Sequence, residues 1–439
     1  MNRSNKSINY YIVLAVLLLY GLRGWIIAYL PLKAGLINIL YEIPFAVMLV
    51  QLFSFKSSQP LPRNIWWLVA YIAWCAFATL VNFYPPLDFF LYTRYAIHLL
   101  IFIVFFWNAP LRRDESLSIV RWTTAVMIAQ IPISLFNWLF FGIAEYRVGS
   151  IAFGSGGMAA LFPLIGGSYF LAYFLLKKRS LWVFVLFYSF IVVGLASGKR
   201  GIHFTFLMLV VVGFMLHWLF VCNIKAKIPL LLLYGFLIFI SVPLLLFSLG
   251  KSQRFERLEN IYSLGDKLDY IAYVVNEYED RGSYRGATSG RIANNSLMLE
   301  QLTDDRFDAF WFGTGPMSCT SRYADIGMER YLFGYGSSGW IIDILSVGVP
   351  AMIFSTMFYL SWLWWLIKRF RTIPTNSREA VLCFGSMLAL LSMLFNNFMY
   401  NEILVASCQI QMLVFGGCVL LRSPKASEIF AEPQDGQLS

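Results

Sequence analysis

Long apolar runs recur through almost the whole of this chain, and they constrain its fold more than any other feature of the sequence. A helix of about 20 mostly apolar residues spans the roughly 30 Å core of a bilayer. About twelve runs have that character, near residues 10–30, 35–54, 65–83, 91–107, 118–141, 151–176, 181–197, 202–221, 229–249, 337–367, 380–398 and 402–421. The sequence therefore predicts an all-α polytopic membrane protein with about twelve transmembrane helices.

The composition supports the same class of protein. Apolar residues make up 59% of the 439 residues and charged residues only 13%, whereas an ordinary soluble domain has about 25% charged residues. Aromatic residues contribute 18%, as expected for a chain that crosses many membrane–water boundaries. The formal charge of +10 does not indicate nucleic-acid binding, because most of the cations lie between apolar runs. Soluble, disordered and fibrous classes are excluded.

Lysine and arginine residues are divided unevenly between the two sides that alternating spans define. Eighteen lie in short loops or termini on one side, and six lie on or toward the other. Short cytoplasmic loops carry an excess of Lys and Arg, so both termini are predicted to lie in the cytoplasm. The minority set comprises Arg23, Lys33, Arg94, Arg147, Lys199 and Arg200.

One long hydrophilic segment, residues 251–335, interrupts the apolar pattern on the outer side. It carries ten Lys or Arg and thirteen Asp or Glu, and a loop of this length usually has a function. We expect a large, partly helical periplasmic cap here, after spans one to nine in residues 1–250. Spans ten to twelve follow in residues 336–421, and residues 422–439 form a solvated cytoplasmic tail. Pro350 predicts a short helix before the true tenth crossing.

Cysteine and histidine give no sign of a metal site or a cofactor. The three His residues lack the spacing of metal ligands, and Cys319 is the lone Cys of the outer segment. The acidic run around Asp304 and Asp308 is interpreted as a solvated loop. No cofactor and no metal are expected.

Several cations at the outer ends of spans are candidates for a binding site. They are Arg94, Arg147, Lys199 and Arg200, with Arg285 and Arg291 in the long outer segment. A charge at membrane depth is costly and is often functional, although an Arg at a span end also extends to the interface by snorkelling. Because Arg binds phosphate through two parallel hydrogen bonds, the cluster suggests an anionic lipid head group such as a pyrophosphate.

Asp343 is the other unusual charge, within the apolar stretch SSGWIIDILSVGVP. An isolated carboxylate in an apolar helix needs a cation, water or a proton. Two interpretations stay open at this point: a structural salt bridge and a functional carboxyl group.

Three stretches within about residues 145–355 resemble the O-antigen polymerase and O-antigen ligase superfamily. YRVGSIAFGSGGMAALFPLI is similar to its Arg-x-x-Gly turn before a span, and GLASGKRGIHF to its small-residue–Arg–Gly turn. TSGRIANNSLMLEQLTDDRFDAFWFGTGP is similar to its Ser-Gly-Arg helix, which closes on a Gly-x-Gly turn. The resemblance implies a GT-C-like fold in the bacterial inner membrane and an inverting, metal-independent, lipid-linked glycosyltransferase whose site faces the periplasm.

The resemblance also assigns roles to individual residues. It carries the two essential arginines of the family onto Arg200 and Arg291, where fixed guanidinium groups would stabilise the negative charge of a departing pyrophosphate. Arg147, Lys199, Arg285, Arg94, Tyr335 and Ser337 are expected to contact the substrate. Asp343 is the predicted catalytic carboxyl, although Tyr335 and Glu329 stay open as the group that assists the acceptor hydroxyl.

One departure from the family pattern bears on the reaction. Ligases of the superfamily carry a His-Asn pair whose histidine corresponds to Ser337 here, so the base role of that histidine is not transferable. The small residues around Ser337 leave room for two lipid-linked glycans, which favours a polymerase of O-antigen or a related surface polysaccharide. A ligase that transfers glycan to lipid A-core and a transporter or flippase of an anionic lipid-linked substrate are the alternatives.

The expected partners follow from the polymerase interpretation. They are undecaprenyl-pyrophosphate-linked oligosaccharides and the lipid bilayer, with a chain-length regulator left open and nucleic acid not expected.

Overall fold

The protein is described by a computed structural model. It describes residues 6–29, 34–55, 60–141, 148–150, 156–177, 181–196, 200–221, 295–296, 299–300, 302–303, 307–316, 338–399, 404, 408–422 and 430. Within these residues every regular element is an α-helix. This is the expected architecture for apolar chain segments, because a helix satisfies its own backbone hydrogen bonds where water is absent.

Nine helices are described in the amino-terminal half of the chain. They are α1 (Ile8–Gly21), α2 (Arg23–Tyr29), α3 (Ala34–Ser54), α4 (Ile65–Val81), α5 (Pro86–Asn108), α6 (Arg113–Phe141), α7 (Gly156–Leu176), α8 (Leu181–Ala196) and α9 (Arg200–Phe220). Among the described residues, one further helix lies within the long hydrophilic segment and four follow it. They are α10 (Phe307–Phe312), α11 (Gly339–Val347), α12 (Val349–Phe370), α13 (Arg378–Met399) and α14 (Cys408–Arg422).

In the part of the chain that the structure describes, four stretches of helix are long and apolar enough to cross a membrane. They are Pro86–Asn108, Arg113–Phe140, Val349–Phe370 and Arg378–Phe398. Shorter apolar stretches of 10–17 residues include Ile8–Gly21, Ile65–Val81, Leu181–Gly194 and Thr205–Phe220. The described residues therefore form a helical membrane protein. The count of twelve spans stays a prediction, and the predicted span at 229–249 and most of the segment 251–335 lie outside the described residues.

Two predicted spans are each divided into two helices. The first apolar run is interrupted at Leu22, between α1 and α2. The tenth is interrupted at Gly348, whose φ is +89°, between the short helix α11 and the long helix α12. Pro350 lies in the first turn of α12, where its missing N–H costs no intrahelical hydrogen bond. The predicted short helix before a long crossing is confirmed, with the break at Gly348 rather than at Pro350.

The largest fully buried side chains in the core of the bundle are aromatic. Trp362, Phe102 and Phe384 are almost fully buried. Helices α7 and α13 pack closely because Gly385 leaves space for the Tyr169 ring, whose Cδ1 would lie only 2.4 Å from a Cβ at that position.

The carboxy-terminal tail contributes to this core as well. Phe430 is 6% exposed and packs within the core. The expectation of a wholly solvated tail is therefore wrong at Phe430, because its ring is removed from water.

Polar contacts join helix termini at one end of the bundle. Lys6, before α1, donates a hydrogen bond to Ser118 near the start of α6 (3.0 Å). Arg422 at the end of α14 donates to Asn64 before α4 (2.8 Å). Arg369 near the end of α12 pairs with Glu379 at the start of α13 (2.6 Å).

A single cavity lined by Arg121, Lys177 and Arg378 connects the start of α6, the end of α7 and the start of α13. We call this end of the molecule, where these cations gather, the basic end.

Candidate functional site

The structure describes only part of the predicted site. The side chains of Arg94 and Asp343 are described, and Arg200 is the first residue of α9, with its backbone alone described. Arg147, Lys199, Arg285, Arg291, Tyr335 and Ser337 lie outside the described residues, as does Glu329. The roles predicted for them stay predictions.

Asp343 is buried in a group of hydroxyl-bearing side chains. Only 2% of the residue is exposed. Its carboxyl oxygens accept hydrogen bonds from the Tyr92 hydroxyl (3.0 Å) and, more weakly, from the Ser355 hydroxyl (3.4 Å), and the Tyr71 hydroxyl interacts with the same carboxyl group. Among the described residues no cation forms an ion pair with Asp343. The salt bridge considered from the sequence is therefore replaced, in this part of the chain, by hydroxyl donors.

These four residues come from four different helices. Tyr71 belongs to α4, Tyr92 to α5, Asp343 to α11 and Ser355 to α12. The break at Gly348 allows α11 to turn away from α12 so that Asp343 and Ser355 meet. A buried carboxyl group with satisfied hydrogen bonds holds the helices around it in one arrangement. The contacts fit a positioning role for Asp343, and its catalytic role stays a prediction.

A Gly-x-Gly turn docks against the end of α11. The Thr314 amide donates to the Leu345 carbonyl oxygen (2.6 Å), and the Gly315 amide donates to the Ser346 carbonyl oxygen (3.0 Å). The indole N–H of Trp74 donates to the next carbonyl oxygen, that of Val347 (2.9 Å). Helix ends leave such carbonyl groups without intrahelical partners, so the turn and α4 together complete the end of α11.

Glycine is required at three positions of this junction. Gly313, Gly315 and Gly348 have φ values of +72°, +113° and +89°, which side chains other than glycine adopt only with strain. A Cβ on Gly348 would lie 1.9 Å from the Trp311 carbonyl oxygen, and one on Gly315 would lie 2.1 Å from the Tyr84 ring. The Gly-x-Gly turn and the apolar stretch SSGWIIDILSVGVP, which contains Gly348, are separate in the sequence, and the structure interlocks them.

A second contact joins the hydrophilic segment to the start of α11. The Asn295 amide nitrogen donates to the Ser338 hydroxyl (2.7 Å), and the Ser338 backbone N–H donates to the Asn295 amide oxygen (3.1 Å). Asn295 follows Arg291 by four residues, and Ser338 is the residue after Ser337. Two sequence regions that carry predicted site residues are thus linked. The side chain of Asn295 bonds to both the side chain and the backbone of Ser338.

A small apolar cluster stabilises the same junction. Leu302 and Ala309 from the hydrophilic segment bury themselves against Ile341, Ile344 and Leu345 of α11. The cluster is separate from the main core of the bundle. Its apolar residues, together with the Asn295 and Gly-x-Gly contacts, attach the described part of the predicted cap to α11.

Arg94 lies in a different polar cluster, together with a second arginine. The guanidinium groups of Arg23 and Arg94 both donate to the Tyr95 hydroxyl oxygen, at 2.6 and 2.7 Å. Glu42 lies 3.9 Å from Arg94 and accepts the closer contact from His98 (2.6 Å). Two arginines and one carboxylate give this cluster a net positive charge, which favours an anion beside it.

Arg23, Glu42 and His98 were not among the residues that the sequence predicted for the site. A charge inside the apolar run 35–54 was a signal for Glu42, since charges at membrane depth are expensive. Arg94 and His98 are four residues apart and therefore share a helix face. The contacts of Arg94 and His98 with Glu42 depend on how α3 packs against α5, and the sequence alone does not predict this packing.

No group of three or more His, Cys, Asp or Glu residues in the described part of the chain is close enough to hold a metal ion. Cys75, Cys383 and Cys418 are buried free thiols there.

Comparison with known proteins does not assign the chain to a family. No protein-family model matches the sequence, and no curated protein is significantly similar to it.

Proposed function

We propose that the protein is a lipid-linked glycosyltransferase that polymerises undecaprenyl-pyrophosphate-linked oligosaccharide repeat units into O-antigen or a related surface polysaccharide. The observation that carries the proposal is the junction at α11. There the stretch TSGRIANNSLMLEQLTDDRFDAFWFGTGP, which the resemblance treats as one motif, contacts the α11 region at two places. Asn295 bonds to Ser338, and Thr314 and Gly315 bond to the carbonyl oxygens of Leu345 and Ser346.

The chemistry of the proposal rests on Arg200 and Arg291. A sugar hydroxyl of the acceptor attacks the anomeric carbon of the donor glycan, the configuration inverts, and the pyrophosphate leaves with its lipid. Negative charge grows on the leaving group, and fixed guanidinium groups in a partly dry site stabilise that charge. Arg147, Lys199 and Arg285 add cations. Neither a metal nor a cofactor has a step in this scheme.

The role proposed for Asp343 is to position α11. Because its carboxyl group is 2% exposed and bonded to Tyr92 and Ser355, it holds the helix that follows the Ser337 region. A strong base is less important when the leaving group is a pyrophosphate, which departs readily. The acceptor hydroxyl then needs alignment more than deprotonation.

The distribution of charge supports an inner-membrane protein with the site on the periplasmic side. The basic end holds the starts of α1, α4 and α6 and the ends of α12 and α14. Under the positive-inside rule this end is cytoplasmic, and so are both termini. The α11 junction packs against Asn82 at the other end of α4, because the Asn82 amide donates to the Phe312 carbonyl oxygen (3.0 Å). The predicted cap is thus proposed to lie outside.

Polymerisation is preferred to ligation because Ser337 occupies the position of the ligase histidine. The neighbouring Gly336, Ser338 and Gly339 are small, which suits a site that holds two glycan chains side by side. The experiment is a deletion strain of the native host. It is expected to make no long chains and to cap its lipid core with a single repeat unit. Loss of every repeat from the core, with polymerised lipid-linked glycan accumulating, would favour the ligase instead.

The arginine roles are tested in the same strain by complementation. Arg291→Ala and Arg200→Ala are expected to abolish long chains at normal protein levels. Arg→Lys at either position is expected to restore little, because an ammonium group does not make the two-pronged phosphate contact. Arg371→Ala, at the basic end, serves as the control and is expected to retain activity. Near-normal chains from Arg291→Ala would show that this arginine has no part in the reaction.

A further inference from the structure

An elongated cavity opens at the basic end, and it shares no lining residue with the Asp343 group. Its volume is about 420 Å³, within the roughly 300–1,000 Å³ of sites that hold small molecules. The described lining comes from seven helices and the tail residue Phe430, and it is almost entirely apolar, with Phe102, Ile165 and Leu413 among the side chains. None of the residues proposed for glycosyl transfer belongs to the described lining of this cavity. A ligand of the cavity would therefore differ from the glycan substrate.

The depth of the cavity matches one leaflet of a bilayer. Ile165 and Lys177 of the α7 region both line it, and their separation of twelve residues corresponds to roughly 18 Å at 1.5 Å per helical residue. Leu117 and Met127 of α6 line it as well, over roughly 15 Å. Half of a bilayer core is about 15 Å thick. The cavity therefore runs beside the lipid chains for the depth of one leaflet.

All the charged residues of the described lining are cations. They are Arg121 on α6, Lys177 after α7 and Arg378 at the start of α13. The side chains of Arg121 and Arg378 are exposed, and within the described part of the chain neither forms an ion pair with a carboxylate. Basic pockets between transmembrane helices on the cytoplasmic side bind anionic lipid head groups.

We propose that this cavity binds one anionic phospholipid of the adjacent leaflet. One acyl chain fills the apolar space between α6, α7 and α14, and the lipid phosphate lies at Arg121, Lys177 and Arg378. The planar donors of Arg suit phosphate oxygens. A neutral lipid would bring no counter-charge to Arg121 and Arg378, and a water-soluble anion would leave the apolar depth of the cavity unfilled.

The experiment measures lipid binding to the full chain, purified in detergent and freed of native lipid. Phosphatidylglycerol and phosphatidylcholine with identical acyl chains are added separately, and bound lipid is counted by native mass spectrometry. The protein is expected to prefer phosphatidylglycerol. Each cation contributes about fivefold to binding, so the double variant Arg121→Gln/Arg378→Gln is expected to bind it about 30-fold more weakly.

Two further variants separate a built site from general membrane charge. Arg371→Gln is the matched control, since Arg371 lies seven residues before Arg378 with its guanidinium over the Phe220 ring (5.3 Å) and outside the cavity. It is expected to bind as the unmodified protein does. Gly416→Leu fills the cavity, because a Cβ at Gly416 meets only ordinary contacts at 3.5 Å or more, and it is expected to lose binding.

Three results would overturn the proposal. The first is equal binding of the two lipids by the unmodified protein, which indicates a general lipid shell. The second is unchanged affinity in the double arginine variant, which is made at exposed positions and so leaves folding intact. The third is unchanged binding in Gly416→Leu.

Discussion

Replacement of Gly348 by alanine is expected to detach the Gly-x-Gly turn from α11. The φ of +89° at Gly348 is unfavourable for alanine, at roughly 1–3 kcal/mol. The added Cβ would also lie 1.9 Å from the Trp311 carbonyl oxygen, which belongs to the backbone and has no rotamer to change. The substitution therefore forces the two segments apart.

The size of the effect follows from the contacts that are lost. Separation breaks the hydrogen bonds from Thr314 to Leu345 and from Gly315 to Ser346. A protein hydrogen bond contributes about 0.5–1.5 kcal/mol net. The cost is either the backbone strain, if the contact is kept, or the two hydrogen bonds, if it is broken. In both cases the expected destabilisation is on the order of 1–3 kcal/mol. Glycosyl transfer is expected to fall as well if the proposed function holds.

The assay is thermal unfolding of the purified protein in detergent, combined with limited proteolysis between residues 295 and 338. Gly416→Ala is the matched control, because a Cβ there makes only ordinary contacts and Gly→Ala inside a helix is favourable by roughly 0.5–1 kcal/mol. Gly348→Ala is expected to lower the Tm and to speed cleavage. If the two variants unfold at the same temperature and are cleaved at the same rate, the interlocked junction is refuted.

Three further predictions follow, two on charged residues at membrane depth and one on the orientation of the chain. Asp343→Ala should lower the Tm, since it removes the carboxylate that accepts from the buried Tyr92 hydroxyl, at about 1–3 kcal/mol. Asp343→Asn, which keeps one acceptor oxygen, should cost less, and equal unfolding of both variants would contradict the contacts. Glu42→Gln should lower the Tm more at low than at high salt, because the Arg23–Arg94 pair loses its counter-charge; a salt-independent change would count against that pairing. Reporter fusions after Lys178 and Lys227 should report the cytoplasm and one near Asp280 the periplasm, and a cytoplasmic signal near Asp280 would overturn the proposed orientation.

The apolar runs were enough to predict a helical membrane protein, because the bilayer leaves few other structures for such segments. The division at the tenth run was also predictable, since a proline lay inside a stretch too long for one straight helix. Its place at Gly348 was not, because it depends on how closely the Trp311 backbone approaches.

The candidate site was less predictable than the fold. Arg94 stood out as a cation near a span end, but its contacts with Arg23 and Tyr95 require α5 to meet the chain after α1. Asp343 stood out as a buried charge, yet no periodicity indicates that Tyr92, from a helix some 250 residues earlier, would supply its hydrogen bond. Hydrogen-bond partners that are distant in the sequence depend on how the helices pack against one another. The pattern of apolar residues does not predict that packing.

The most direct test of the account uses the purified protein and one defined substrate. Undecaprenyl-pyrophosphate-linked repeat units are supplied without nucleotide sugar and without divalent metal, and the lengths of the lipid-linked glycans are measured over time. The account predicts a ladder of products that lengthens by whole repeat units, with release of one undecaprenyl pyrophosphate for each unit added, and no ladder from Arg200→Ala or Arg291→Ala. Repeat units that stay single with the unmodified protein, but move to lipid A-core when that acceptor is added, would contradict it.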